Sequence, residues 1–370
     1  VSEAYTETLT RLVRDAGADR VGVTTAEPIT RARQAIEARV IAGYADEMQF
    51  TFRNPERSTT PTMAVAGARS IIVAARSYWS PGSPQENAFQ RDTLEKSGVQ
   101  VPADVARYAW RDHYAPLREA LHCAAAQLKR DGHRAVVFSD DNSIVDREVA
   151  YRAGLGWYGK NANLLLEGLG SWFVIGCVVT TAELQSTERV VPDGCGSCSR
   201  CIDACPTGAI VEPGVVDARK CLAWLLQKPG TFDPALREAL GIRIYGCDEC
   251  QVVCPPTRRG AIDRTSGDER STVDVIDLLT APDDEVMRIV GRWYVADRNP
   301  RWVRRNALIV LGNSRQLLMG GDVRDRGLLD DVVSILARYI NGDDVLLREH
   351  AEWAAKQLGV NHMLIDGRLP

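Results

Sequence analysis

Short apolar runs recur at Val21–Val23, Ser70–Ala75, Ala135–Phe138 and Trp172–Thr180, and their length and β-branched content predict strands. Between them apolar positions repeat at helical spacing. In Pro116–Arg130, Leu117, Leu121, Ala124, Ala125 and Leu128 share one face. Val1 to Gly17 reads as an amphipathic helix with Leu9, Leu12, Val13 and Ala16 on one side. Strands alternating with such helices predict an α/β domain, a sheet covered by helices, over residues 1–185. Within it the polar segment from Ser80 to Pro102 reads as a mobile surface loop.

The periodicity then fails. Residues 186–265 are dense in Cys, Gly and Pro, and a small segment without a core of its own is usually stapled by metal. Residues 266–370 return to a helical pattern, all helix from about Val273. That region holds a weak repeat: Asn299–Ala307 lies on Asp343–Ala351 at an offset of 44 residues, and both copies run helically toward a terminating glycine, Gly312 and Gly359. The offset suits HEAT-type helical pairs, and two copies suit a cap better than an independent array.

Composition changes this picture little. A chain of 370 residues, 45% hydrophobic and 25% charged, suits a globular protein of two or three domains. No run of 18 apolar residues predicts a membrane span, and Val1–Gly17 lacks the basic start and apolar block of a secretory signal, so a cytoplasmic monomer is expected. The net charge of −4 argues against indiscriminate nucleic-acid binding and leaves room for a local patch. Arg258, Arg259, Arg292, Arg298, Arg301, Arg304 and Arg305, with Trp293, Tyr294 and Trp302 among them, are the candidates. The plainer reading makes them solvated faces and core aromatics.

Chemistry enters with the ten cysteines, eight of them between Cys195 and Cys254. Cys195-Gly-Ser-Cys198-Ser-Arg-Cys201-Ile-Asp-Ala-Cys205-Pro206 places three thiolates to wrap three iron corners of one cubane, while the cysteine before proline reaches another. Cys247-Asp-Glu-Cys250-Gln-Val-Val-Cys254-Pro255 repeats this with one cysteine missing, its place taken by Ile244; Cys221 can supply that thiolate. The crossing rule assigns Cys195, Cys198, Cys201 and Cys254 to one [4Fe-4S] cluster and Cys205, Cys221, Cys247 and Cys250 to the other. Zinc is the disfavoured alternative, since its sites rarely use a three-residue gap before Cys-Pro. Cys123, on a helix, and Cys177, mid-strand, are expected to be buried and inert. Neither a Gly-x-Gly-x-x-Gly after a strand nor a phosphate-binding Gly-x-x-x-x-Gly-Lys-Ser/Thr is present.

Arg152-Ala-Gly-Leu-Gly-Trp157-Tyr-Gly-Lys160-Asn161, Gly170-Ser-Trp172-Phe173, the cluster motifs, Arg304-Arg305-Asn306-Ala307, Leu311-Gly312-Asn313, Gly67-Ala68-Arg69-Ser70-Ile71 and Arg107-Tyr108-Ala109 together resemble the epoxyqueuosine reductase family. The resemblance implies an N-terminal cobalamin-binding domain, a bacterial-ferredoxin-like two-cluster module and a HEAT-like end. It implies reduction of an epoxide to an alkene at the wobble nucleoside of certain tRNAs, with electrons from an external low-potential donor. Asp140 is placed by it as the catalytic acid, with Asp141 as fallback, and an aspartate beside an apolar corrin should carry a raised pKa. Asp140-Asp141-Asn142-Ser143 can equally be a helix N-cap. Cofactor contacts carry over to Arg57, Asp140, Gly156, Trp157, Lys160, Leu164, Ile175 and Ala223.

The chain departs from the family at Trp110–Tyr114, at Ser143 and Asp146, where the family has proline and glutamate, and at Leu222–Lys228. Two rival readings therefore stand beside the tRNA enzyme: a small-molecule reductase resembling reductive dehalogenases, and a plain electron carrier.

Overall fold

The computed structural model describes residues 3–78, 99–187, 189–259, 271–319 and 326–365. Most of the segment read as a surface loop, residues 80–98, lies outside them. The chain divides into two compact units, one drawn from Val1–Pro81, Arg111–Cys221 and Glu249–Ser266, the other from Gly82–Trp110, Leu222–Asp248 and Gly267–Pro370. Boundaries read from composition therefore do not coincide with the units, which interleave along the chain.

The first unit is built on a four-stranded antiparallel sheet, in the order Arg20–Thr25, Ser70–Ser77, Phe173–Thr180, Ala135–Ser139. All four expected strands are present. Side chains alternate across a strand, so Ile71, Val73, Ala75, Ile175, Cys177 and Val179 share a face; they pack with Val149 and Ala150 of helix Asp146–Arg152 and with its C-cap, Ala153. Helix Tyr114–Arg130 also packs on this sheet, burying Leu117, Leu121, Ala124, Ala125 and Leu128, and helix Glu3–Asp15 packs on it in turn. Covering both faces explains why Ser70–Ala75 reads as an unbroken apolar run. Cys177 is buried as expected, but Cys123 is exposed: it sits one position off the helix stripe that Ala124 occupies.

A hairpin, Gly156–Tyr158 with Leu164–Leu166, carries the Gly-Leu-Gly-Trp motif and pairs Trp157 with Leu165. Here glycine has a steric cause. A Cβ on Gly156 would stand 2.1 Å from the Leu165 carbonyl oxygen, so only glycine lets the two strands close.

The second unit has a three-stranded sheet with Pro102–Val105 in the centre, parallel to Arg243–Tyr245 and antiparallel to Thr272–Asp274. Its C-terminal part is thus not helical throughout. Thr272–Asp274 is a strand, and Asp274 then caps helix Val275–Thr280 by accepting the Ile276 N–H at 2.9 Å. Helices Arg301–Asn313 and Val345–Leu358 occupy the two repeat copies and pack together. Gly359 ends its helix in a left-handed turn (φ 79°), but Gly312 lies inside its helix. There a Cβ would meet the Trp353 ring at 2.6 Å, so Gly312 serves close helix packing rather than termination.

Candidate iron-sulfur and active site

None of the ten cysteines is in a disulfide, and seven of the eight motif cysteines are half-buried, with Cys254 buried. In the first motif the Cys198 N–H donates to the Cys195 carbonyl at 3.0 Å, and Arg200–Asp203 form a single helical turn. Burial raises the Cys201 thiol, and the neighbouring thiols of Cys254, Cys195 and Cys198 raise it further. Cys254 is raised by burial and by Cys195 and Cys198, against the Thr257 hydroxyl and N–H, which favour its thiolate. Cys195, Cys198, Cys201 and Cys254 therefore lie within electrostatic reach of one another, although 53 residues separate Cys201 from Cys254. Among the described residues no three His, Cys, Asp or Glu side chains close on a single-ion site. A cubane does not ask for that, since each thiolate takes its own iron corner.

Cys205 is held differently. Its Sγ accepts the Ala209 N–H at 3.2 Å and lies 3.9 Å from Thr207 Oγ1, which donates to the Lys220 carbonyl at 2.6 Å, next to Cys221. The Cys221 N–H closes a turn onto the carbonyls of Asp217 and Ala218.

Residues of and around the Gly-Leu-Gly-Trp and Gly-Ser-Trp stretches contact these cysteine loops. Lys160 Nζ donates to the Gly196 carbonyl at 2.7 Å. Asn161 Nδ2 donates to the Cys250 carbonyl at 3.2 Å, and Asn163 Nδ2 stands 4.0 Å from Cys250 Sγ. The Trp157 ring packs with Leu165, Val191 and Cys254, with Cys195 at the margin of the cluster. Gly170-Ser171 does the same for Thr257: a Cβ on Gly170 would fall 2.2 Å from Thr257 Cα, and the Ser171 N–H donates to Thr257 Oγ1 at 3.2 Å. Thr257 in turn bonds Cys254. Both glycine-rich motifs thus shape the cluster pocket from below.

Asp140 follows strand Ala135–Ser139, exposed and in a left-handed backbone (φ 57°), a conformation aspartate tolerates better than most residues. It does not cap the next helix, whose N-cap, Val145, makes no side-chain cap bond. Asp141 folds the loop instead, accepting the Ser143 N–H at 2.7 Å. Burial raises the Asp146 carboxyl, with Arg147 opposing and Asp140 adding to the rise, so the two carboxyls are neighbours. Beside them Ser139 Oγ is buried without a hydrogen-bond partner. That unsatisfied hydroxyl fits one of the amides on the rim of a cobalamin. Of the other carried-over residues, Arg57 is exposed in the turn Pro55–Ser58, and Leu164 and Ile175 spend their side chains in the core. Ala223 is half-buried in the turn Leu222–Leu225.

Most of the basic patch is engaged within the fold. Arg305 is 1% exposed and donates to the carbonyls of Leu225, Lys228 and Gly230. Arg301 pairs with Asp344, Arg304 with Asp283, and Arg298 donates to the Gly291 and Trp293 carbonyls. Trp293 is buried and stacked on Tyr245 with ring centroids 4.6 Å apart. Arg292, Tyr294 and Arg298 remain at the surface.

Residues 194–257 match the family described as a 4Fe-4S double cluster binding domain. The epoxyqueuosine reductase of Burkholderia pseudomallei is 32% identical over 374 residues, covering 93% of this chain and 90% of that protein. This chain belongs to the epoxyqueuosine reductase family. The Alicycliphilus denitrificans reductase is 31% identical over 362 residues, covering 93% of this chain and 95% of that one. A crystal structure of epoxyqueuosine reductase with an epoxyqueuosine-modified tRNA-Tyr stem loop superposes with a TM-score of 0.81 at 26% identity, over 96% of this chain and 90% of that one. The Bacillus subtilis epoxyqueuosine reductase shares the fold, with a TM-score of 0.80 over 99% of this chain and 95% of that one. As a reductase of this family the chain is an oxidoreductase that uses two [4Fe-4S] clusters and cobalamin. Thr257, Asn161 and Asn163 are site residues that spacing alone passes over; Asn161 stood inside a quoted motif, but nothing local marks its partner.

Proposed function

We propose that this chain reduces epoxyqueuosine to queuosine in tRNA, taking up two electrons and two protons and releasing water. The observation that carries this reading is the likeness over nearly the whole chain to epoxyqueuosine reductases, joined to an eight-cysteine module and an aspartate at the expected strand end. Cys195, Cys198, Cys201 and Cys254 hold one cluster; Cys205, Cys221, Cys247 and Cys250 hold the other. Bound cobalamin supplies the two-electron reduction at the epoxide carbon, fed by clusters that pass electrons singly. Asp140 holds the proton that the departing oxygen needs. Asp146 lies close to it, its own carboxyl raised by burial. Arg57, Asp140, Gly156, Trp157, Lys160, Leu164, Ile175 and Ala223 are the residues we assign to the cofactor, with Ser139 Oγ beside Asp140.

The substrate is tRNA carrying epoxyqueuosine at the wobble position, met by Arg292, Tyr294 and Arg298. A separate low-potential protein reduces the clusters, and the enzyme works as a cytoplasmic monomer. Among the described residues no helix is long and apolar enough to cross a membrane. HEAT-like pairing describes the helices Arg301–Asn313 and Val345–Leu358.

The test is a redox titration. Holoenzyme reduced under argon is mixed with epoxyqueuosine-bearing tRNA and, separately, with queuosine-bearing tRNA. Reoxidation by two electrons per epoxide, and none with queuosine, is expected. Reoxidation by an aryl halide but not by the epoxide would move the substrate to the small-molecule alternative.

A further inference from the structure

Trp157 stands at the first cluster's pocket with its polar edge unanswered. It lies mid-strand in Gly156–Tyr158, is 8% exposed, and its ring packs with Leu165, Val191, Cys254 and Cys195. Its Nε1 is buried and has no hydrogen-bond partner in the protein. The orientation of the ring is fixed by Gly194. A Cβ there would stand 2.7 Å from Trp157 Cζ2 and 3.0 Å from Cε2, the ring atom bonded to Nε1. The ring therefore lies against the backbone that leads directly into Cys195. An indole nitrogen can only donate, and a buried donor left unpaired is costly. Packing alone would be served as well by phenylalanine.

We propose that the Trp157 indole N–H donates a hydrogen bond to a sulfur of the cluster held by Cys195, Cys198, Cys201 and Cys254, and so raises that cluster's reduction potential. The proposal rests on that ligand set. A donor aimed at a cluster sulfur stabilises the extra negative charge of the reduced state, which is one of the levers that set such potentials. Trp157 then makes the first cluster easier to reduce than its thiolates alone would allow.

The experiment is potentiometric titration of reconstituted Trp157→Phe, followed by electron paramagnetic resonance. The expected result is an unchanged iron and sulfide content with a downward midpoint shift in one cluster signal only. At the wild-type midpoint the reduced fraction should fall several-fold; a tenfold fall in the reduced-to-oxidised ratio corresponds to about 59 mV for a one-electron couple. Wild-type protein carrying ¹⁵N-indole tryptophan provides a second readout, a nitrogen coupling to the reduced cluster. Intact clusters with unshifted midpoints and no such coupling overturn the proposal. Should Trp157→Phe fail to assemble clusters, the labelled wild type decides alone. Cys254→Ser reports separately on the ligand set. If it perturbs a different signal from the one coupled to the indole, the ligand assignment fails while the hydrogen bond stands.

Discussion

Asp140 owes its position to a strand end and a left-handed turn. Replacing it by asparagine keeps size and backbone preference while removing the proton. We expect Asp140→Asn to load clusters and cobalamin normally and to lose about 10²-fold or more in turnover, the usual share of a general acid. Wild-type turnover with intact cofactors would remove Asp140 from the mechanism. Asp146 has a distinct signature. Burial raises its carboxyl, so the folded state binds its proton more tightly than the unfolded chain does. Stability from this source is full at acid pH and declines as the pH rises through the folded value. Asp146→Asn should therefore melt higher than wild type near pH 8, with the gap closing toward pH 4 in a series of thermal scans. A gap that widens on acidification would contradict the assignment.

At the scale of elements, two short glycine-rich stretches hold the cysteine loops by close approach. Gly170 is the sharpest case, because its φ of 68° and the 2.2 Å distance to Thr257 Cα both exclude a side chain. Gly170→Ala should push Thr257 off Cys254 and cost the first cluster, read as roughly half the iron and sulfide of wild type under identical reconstitution. Full iron content would show that the loop yields without consequence. In the helical region Arg305 ties helix Arg301–Asn313 to three carbonyls between Leu225 and Gly230, and burial lowers its pKa to about 9. Arg305→Ala leaves those carbonyls unpaired, so a loss of about 3 kcal/mol or more is expected in chemical denaturation, without the weakened tRNA binding that a surface arginine would give. Nearby His350 is buried and lowered to about 4 mainly by desolvation, and its Nε2 accepts the Phe232 N–H at 3.3 Å. A neutral histidine favoured by the fold contributes stability above pH 6.5 that is lost as the pH falls toward 4.

Across the whole molecule, what the sequence made legible was the chemistry that is local in the chain. Thiolate spacing follows from the geometry of a cubane, so the grouping of Cys254 with Cys195, Cys198 and Cys201 could be argued before any coordinates. The four strands of the first sheet were equally plain, because burial on both faces writes itself as apolar runs. Long-range partners were not legible. Lys160 and Trp157 carry no local mark that they reach Gly196 and Cys195. Arg304 and Arg305 look like a nucleic-acid patch until Asp283 and the Leu225–Gly230 carbonyls come into view. Pro102–Val105 was hidden by its opening proline and by the polar stretch before it.

The central claim is that this chain turns epoxyqueuosine in tRNA into queuosine. The direct measurement is anaerobic reconstitution with iron, sulfide and cobalamin, reaction of the reduced protein with epoxyqueuosine-containing tRNA, and mass spectrometry of the digested nucleosides. Queuosine lighter by one oxygen than the starting nucleoside, formed only with cobalamin present, is the predicted result. Full cluster and cobalamin loading with the epoxide untouched would contradict the account.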